Sequence, residues 1–181
     1  MSVEALLVID IQRDYLAGGR MPLAGAVAAA AEAARLLGRW RERSLPVVHV
    51  HHVSARPGAT FFLPGTEGIL PAPGLEPAPG EAVVVKRYPN SFRGTGLEAL
   101  LRGLGAERLA VAGMMPHMCL DASVRAAFDL GFPCRVAADA CATRDLAFAG
   151  RTVAAAEVHA AFLAALAGTY AEVVAGADML G

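Results

Sequence analysis

Six short apolar runs constrain the fold more than any other feature: ALLVIDI (5–11), PVVHVHHV (46–53), AVVVK (82–86), RLAVAG (108–113), CRVAADA (134–140) and YAEVVAG (170–176). Each is strand-length and mostly apolar with branched residues, as strands buried on both faces of a sheet are. Helical segments separate most of them. The first, from Gly25 to Arg43, is Ala-rich and ends in the basic RWRER, which suits a helix C-terminus. Thr95 and Glu98 form a capping-box pair that predicts a helix running to Leu104. A third helix is predicted from His117 to Leu130, stopped by Gly131, and a last long one from Leu146 to Leu166. Strands alternating with helices describe an α/β protein with a parallel sheet between helical layers. The second and third runs are joined instead by residues 54–80, which are broken repeatedly by Pro and Gly. Phe61, Phe62, Ile69 and Leu70 give that stretch apolar anchors, so it reads as a long structured loop of the kind that often carries function.

The totals remove several classes of function. A chain of 181 residues with 55% hydrophobic residues and a mean hydropathy of +0.45 is one folded domain, 1–181, rather than a disordered segment. No apolar run approaches the roughly 20 residues needed to cross a bilayer. A net charge of −1 with mixed signs offers no basic stripe for nucleic acid and no polybasic segment for a membrane surface. Cys119, Cys134 and Cys141 form no CxxC pair and read as reduced thiols. The N-terminal MSVEALLVID lacks the positive charge of a signal peptide, and the expected compartment is the cytoplasm.

In open α/β sheets ligands bind beyond the C-terminal ends of the strands, near the point where strand order reverses. Asp10 follows the first run, Lys86 ends the third, Cys119 follows the fourth and Asp139 lies at the end of the fifth. Each has an ordinary structural reading: a turn cap, a solvated strand-end charge, a small core hydrophobe. Their conjunction favours chemistry. Cys119 falls in a first helical turn, where the dipole and free N–H groups would favour a thiolate, and a carboxylate could carry its proton. Lys86 is also the one lysine among 16 basic side chains. A position that takes Lys where the rest of the chain takes Arg calls for a compact, flexible ammonium instead of a planar fork.

DIQRDYL, VVVKRYPNSFRGTGL and AVAGMMPHMCLDASVRAAFDLGFPCRVAADACAT resemble the three signature regions of the isochorismatase-like cysteine hydrolases, a superfamily that includes nicotinamidases and N-carbamoylsarcosine amidohydrolases. The resemblance implies a Rossmann-like three-layer α/β/α sandwich on a six-stranded parallel sheet of order 3-2-1-4-5-6. It implies an Asp10, Lys86, Cys119 triad, with an oxyanion held by the backbone N–H groups of Met115 and Cys119 and a cis peptide at Met114–Met115. The first and third strands would then lie two spacings apart, about 10 Å, which a lysine side chain can reach across. The activity implied is hydrolysis of a small amide or carbamoyl compound through a thioester on Cys119. The alternatives are an isochorismatase-type vinyl-ether hydrolase, whose chemistry needs no thiol, and a catalytically silent thiol sensor on the same fold.

Two departures bear on substrate. Pro116 stands where many relatives have Thr, and a Pro suits a helix start while removing a hydroxyl near the nucleophile. The nicotinamidase metal motif is incomplete: His49 and His51 project to one side of their strand and His52 to the other, without the Asp and the later His. The pattern suits a polar strand end with at most one imidazole lining the pocket, so no metal and no cofactor are expected. Gln12, Tyr15, Phe92 and His117 are the candidate pocket residues. The expected partners are a small-molecule substrate and further copies of the chain, since the Ala-rich last helix suggests a homodimer or homotetramer.

Overall fold

The computed structural model describes residues 3–180. Its centre is β1 (Glu4–Ile9), in which every residue is buried. On one side of β1 lie β2 (Val47–His52) and β3 (Ala82–Lys86), and on the other lie β4 (Arg108–Met114) and β5 (Cys134–Ala142). All neighbours in this sheet are parallel, and the order is β3-β2-β1-β4-β5-β8, with β8 spanning Ala171–Val174. The six-stranded parallel sheet and its reversal at β1/β4 agree with the expected fold. The outermost strand is eighth in the chain because an extra hairpin precedes it.

Strand periodicity sorts the core into two layers. Leu6 and Val8 of β1 pack toward α1 (Ala26–Glu42), against a layer that includes Leu36, Leu37 and Trp40. Ala5, Leu7 and Ile9 point the other way, into a layer built from α2 (Leu97–Gly103), α3 (Asp121–Asp129) and α4 (Ala155–Leu166) through Leu101, Val124, Leu163 and Leu166. Each fully buried leucine contributes about 1.5–3 kcal/mol. Trp40 is wholly buried and donates its indole N–H to the Glu4 carbonyl at 3.2 Å, so its one polar atom is satisfied.

The long loop does the work of a helix. Phe62, Ala72 and Leu75 join the α1 layer, covering the sheet where the β2–β3 connection would otherwise place a helix. Its anchor is buried Asp14, which accepts from the Phe62 N–H at 2.6 Å and the Arg20 N–H at 3.2 Å. A Cβ on Gly68 would fall 2.2 Å from the Asp14 carboxylate, so only glycine permits that contact. Gly113 has the same role in the sheet. A Cβ there would lie 2.6 Å from the Ile9 carbonyl, at the ends of the two strands flanking the reversal.

Several local expectations are corrected. Residues 146–153 are not helical: β6 (Leu146–Phe148) and β7 (Arg151–Val153) form an antiparallel hairpin, and α4 starts only at Ala155. Ala149 and Gly150, with φ of 49° and 76°, make a left-handed turn that matches hairpin twist, and Thr152 and Val153 favour strand. The segment after β4 opens with a π-helical turn, Pro116–Leu120, before α3 begins. The expected capping box does not form: the N-cap of α2 is Gly96, with no side-chain cap bond. Thr95 Oγ1 accepts from the Leu97 N–H at 3.3 Å, while Glu98 pairs with Arg102 at 3.7 Å and does not reach back. β3 is an edge strand with one open face, on which Val83 and Val85 are 46% and 54% exposed. Among the described residues, no helix is long and apolar enough to cross a membrane.

Candidate active site

β1, β2, β3 and β4 all deliver side chains to one point beyond their C-terminal ends. Asp10 follows β1 directly and takes φ of 54°, a left-handed conformation that Asp tolerates better than most residues. Its N–H still bonds the Val50 carbonyl at 2.9 Å, so the turn is tied to β2. Lys86 ends β3 in register with His52 of β2. Cys119 lies in the π-helical turn after β4. One carboxylate oxygen of Asp10, one ring nitrogen of His52 and Sγ of Cys119 all lie within 4.8 Å of one another. Lys86 Nζ sits 2.7 Å from Asp10 Oδ2 and 3.1 Å from His52 Nδ1, and it donates to the Tyr88 carbonyl at 3.1 Å. Asp10, Lys86 and Cys119 thus come together at one point, with His52 beside them.

Burial governs the electrostatics. Asp10 and Lys86 have no exposed surface, and Cys119 retains 5%. Desolvation pulls the Lys86 ammonium down, but the Asp10 charge, then Cys119 and the hydrogen bonds to both, outweigh it, so its pKa ends above the ordinary lysine value. For Cys119, desolvation and then the Asp10 charge push the thiol well up, opposed by Lys86. Burial and Asp10 thus push the thiol up, against the expectation that the helical turn would favour a thiolate. Beyond the Lys86 contact at 2.7 Å, no well-aligned donor among the described residues reaches either Asp10 oxygen. The carboxylate is left with lone pairs for a proton. Cys134 has no such neighbours, and for Cys141 the Asp139 charge adds only a small upward push to burial. Burial lifts both to about 12, and their thiols donate to the Phe132 and Ala137 carbonyls.

A cavity of about 590 Å³ borders this cluster through His52, with Met115, Phe61, Tyr88 and Met118 also in its lining, while Asp10, Lys86 and Cys119 lie behind those residues and outside the lining. Arg56, Arg87 and Arg144 also line it. A larger cavity, about 680 Å³, involves the starts of β5 and β8 around Phe132 and Tyr170, at the opposite ends of the strands from this cluster. The four expected pocket residues lie outside the lining of the 590 Å³ cavity. Gln12 is fully buried, its amide spent on the His52 and Ile69 carbonyls and the His52 N–H. Tyr15 is buried against Phe62, with ring centroids 4.6 Å apart. Burial, followed by the charges of Cys119 and Asp10, raises its phenol, which puts Tyr15 beside the triad instead of in the cavity wall. Phe92 packs into the α2–α3 core layer. His117 bonds Thr143 Oγ1 at 2.7 Å and meets Phe162 edge-on, so it fastens the nucleophile turn to β5 and α4. Asp139 accepts from the Gly176 N–H at 2.7 Å and holds the C-terminal turn.

The sequence reading missed what positions the Lys86 loop. Ser91 and Ser123 are both buried, with their hydroxyls 2.7 Å apart, and they pin that loop to α3. Asn90 makes the turn itself, accepting from the Phe92 N–H at 2.8 Å. Of the three strand histidines, His49 is fully buried and bonds Glu81 at 2.7 Å. Arg41 holds Glu81 from its other side, and the Glu81 pKa falls to about 2, with Arg41 the main cause. Only His52 has the parity that faces Lys86, and that alternation was the signal available in the sequence. Asp10, His52 and Cys119 are close enough to share a metal ion. The Lys86 ammonium already occupies the space between two of those donors, however, and a metal ion would have to displace it.

A doubly wound α/β domain with a thiol, a carboxylate and an ammonium at its switch point defines a hydrolase architecture. The chain matches the isochorismatase domain family over residues 4–178, and it belongs to that family of hydrolases. It is 47% identical over 169 residues to YddQ, an uncharacterised isochorismatase family protein of Bacillus subtilis, covering 93% of this chain and 94% of that one. A streptothricin hydrolase from Streptomyces noursei is 39% identical over 153 residues, covering 80% of this chain and 51% of the relative. The crystal structure of a proposed isochorismatase hydrolase from Oleispira antarctica superimposes with a TM-score of 0.94 at 48% identity, covering 98% of this chain and 96% of the other.

Proposed function

We propose that this protein is a metal-independent cysteine hydrolase that cleaves an amide or carbamoyl C–N bond through a thioester on Cys119. The carrying observation is geometric: the buried Cys119 sulfur lies within 4.8 Å of an oxygen of the buried Asp10 carboxylate, which Lys86 holds from 2.7 Å away. As Sγ attacks the carbonyl carbon, Asp10 takes the thiol proton and Lys86 offsets the charge that develops. The backbone N–H groups of Met115 and Cys119 receive the oxyanion. In support, the Met115 carbonyl is engaged by the N–H groups of Met118 and Leu120, on either side of Cys119, and Cys119 itself is not among those donors. The Met114–Met115 peptide is cis, as the resemblance implied. Asp10 then returns its proton to the departing amine, collapse releases it, and a water deprotonated by Asp10 resolves the thioester. Oxyanion donors of this kind are each worth about 3 kcal/mol in the transition state.

A buried thiol pushed up in pKa disfavours the sensor alternative, because redox-sensing cysteines are exposed and low in pKa. A vinyl-ether hydrolase would leave the thiol without a role. The test is ammonia release from a panel of amides and carbamoyl compounds, with mass spectrometry of the protein after rapid quenching. An acyl adduct on Cys119 that disappears in Cys119→Ala is the expected result. Turnover that persists in Cys119→Ala would end this reading.

A further inference from the structure

The cavity beside this cluster is lopsided in charge. Arg56, Arg87 and Arg144 line it, no Asp or Glu does, and Asp10 behind its lining is already matched by Lys86. None of the three guanidiniums has a carboxylate partner among the described residues, and Arg144 donates only to the Asp145 backbone carbonyl, at 3.3 Å. Elsewhere the chain pairs its arginines freely: Arg13 with Glu67, Arg41 with Glu81, Arg125 with Asp121. Guanidinium stays charged at any physiological pH and presents a fork suited to carboxylate. The field of Arg144 reaches the site itself, since it helps to hold the His117 pKa down after the larger effect of burial. The lining also has an apolar part, with Phe61, Met115 and Met118.

We propose that the substrate is an anion: an amide or carbamoyl compound with an apolar body and a carboxylate that the cavity arginines grip, leaving the scissile carbonyl at Cys119. This rests on the hydrolase reading above and narrows its substrate class. A volume of about 590 Å³ accommodates such a body as well as the reacting group. Several guanidiniums around one cleft also concentrate anions at its mouth, an effect that salt weakens.

The test uses matched pairs that differ only in charge: N-carbamoylphenylalanine and its methyl ester, and the monoamide of phenylsuccinic acid and its methyl ester. Binding is measured calorimetrically on Cys119→Ala, so that chemistry plays no part. The acids should bind roughly tenfold or more tightly than the esters. That preference should shrink at high salt and in Arg87→Gln or Arg144→Gln, and survive in Arg35→Gln on the distant surface of α1. Equal or tighter binding of the esters, a preference indifferent to all three cavity arginines, or no binding of either member would overturn the proposal. Ammonia release by the wild type separates the two claims. Hydrolysis of esters without preference sinks the anion site and leaves the hydrolase reading intact, whereas tight binding of acids without any acyl adduct does the reverse.

Discussion

His52 and Lys86 are cross-strand partners at the ends of β2 and β3, and Lys86 Nζ approaches His52 Nδ1 to 3.1 Å. An ammonium can only donate, so Nδ1 is the acceptor, the ring is neutral, and its proton lies on Nε2. Burial first and Lys86 second hold the His52 pKa below the ordinary value, consistent with that tautomer. The lysine is thereby fixed by three acceptors: Asp10, His52 and the Tyr88 carbonyl.

Lys86 is enclosed on every side, and Arg would need a longer, planar group in the same space. Lys86→Arg is expected to lower kcat by about 100-fold or more, since displacement of a positioned group by an ångström costs that much. Lys86→Met should destabilise the fold by about 3–5 kcal/mol, because it strands a buried carboxylate. Ammonia-release kinetics and urea unfolding check the two values.

All five histidines are depressed in pKa, with burial the leading cause in each. A group depressed in the folded state contributes its stability above the unfolded pKa, about 6.5 for His, and loses it as pH falls through the folded value. The urea midpoint should therefore fall between about pH 7.5 and pH 5.5. Activity should fall only at more acid pH, below the ordinary histidine range, as His52 with its lowered pKa is protonated and turns a cation toward Lys86; His52→Gln should remove that limb of the pH–rate profile.

A small neutral alkylating reagent should modify Cys119 ahead of Cys134 and Cys141, which burial also raises but which have no paired carboxylate and ammonium beside them. The cause would be proton transfer to Asp10 during attack and not a standing thiolate. Asp10→Asn should slow modification of Cys119 by about 100-fold, in the range of general-base contributions. Peptide mapping over a time course reads both.

Gly113→Ala would force a Cβ to within 2.6 Å of the Ile9 carbonyl and prise β1 from β4 at the switch point. Overpacking of this kind costs about 1–3 kcal/mol. Because Asp10 and Cys119 hang from those two strands, the loss in kcat should exceed what the unfolding measurement accounts for.

Residues 146–153 illustrate why part of the fold was not legible. Their apolar composition suits helix or strand, and the outcome rests on a two-residue turn at Ala149 and Gly150. The four pocket candidates failed for a related reason. Nearness in sequence to Asp10 or Cys119 says nothing about which side chains the long loop covers, and contacts with residues distant in sequence account for the burial of Gln12 and Tyr15. His52 was partly legible, because strand parity already set it apart from His49 and His51.

The alternation of strands and helices outside residues 146–153, and the presence of an acid, a lysine and a thiol at strand exits, were determined by the sequence, since they depend on periodicities of a few residues. The tertiary structure decided the desolvation of the sulfur, the recruitment of His52 and the arginine-lined cavity. Those depend on burial and on charges brought together from positions as far apart as Asp10 and Arg144, a proximity that no local pattern encodes.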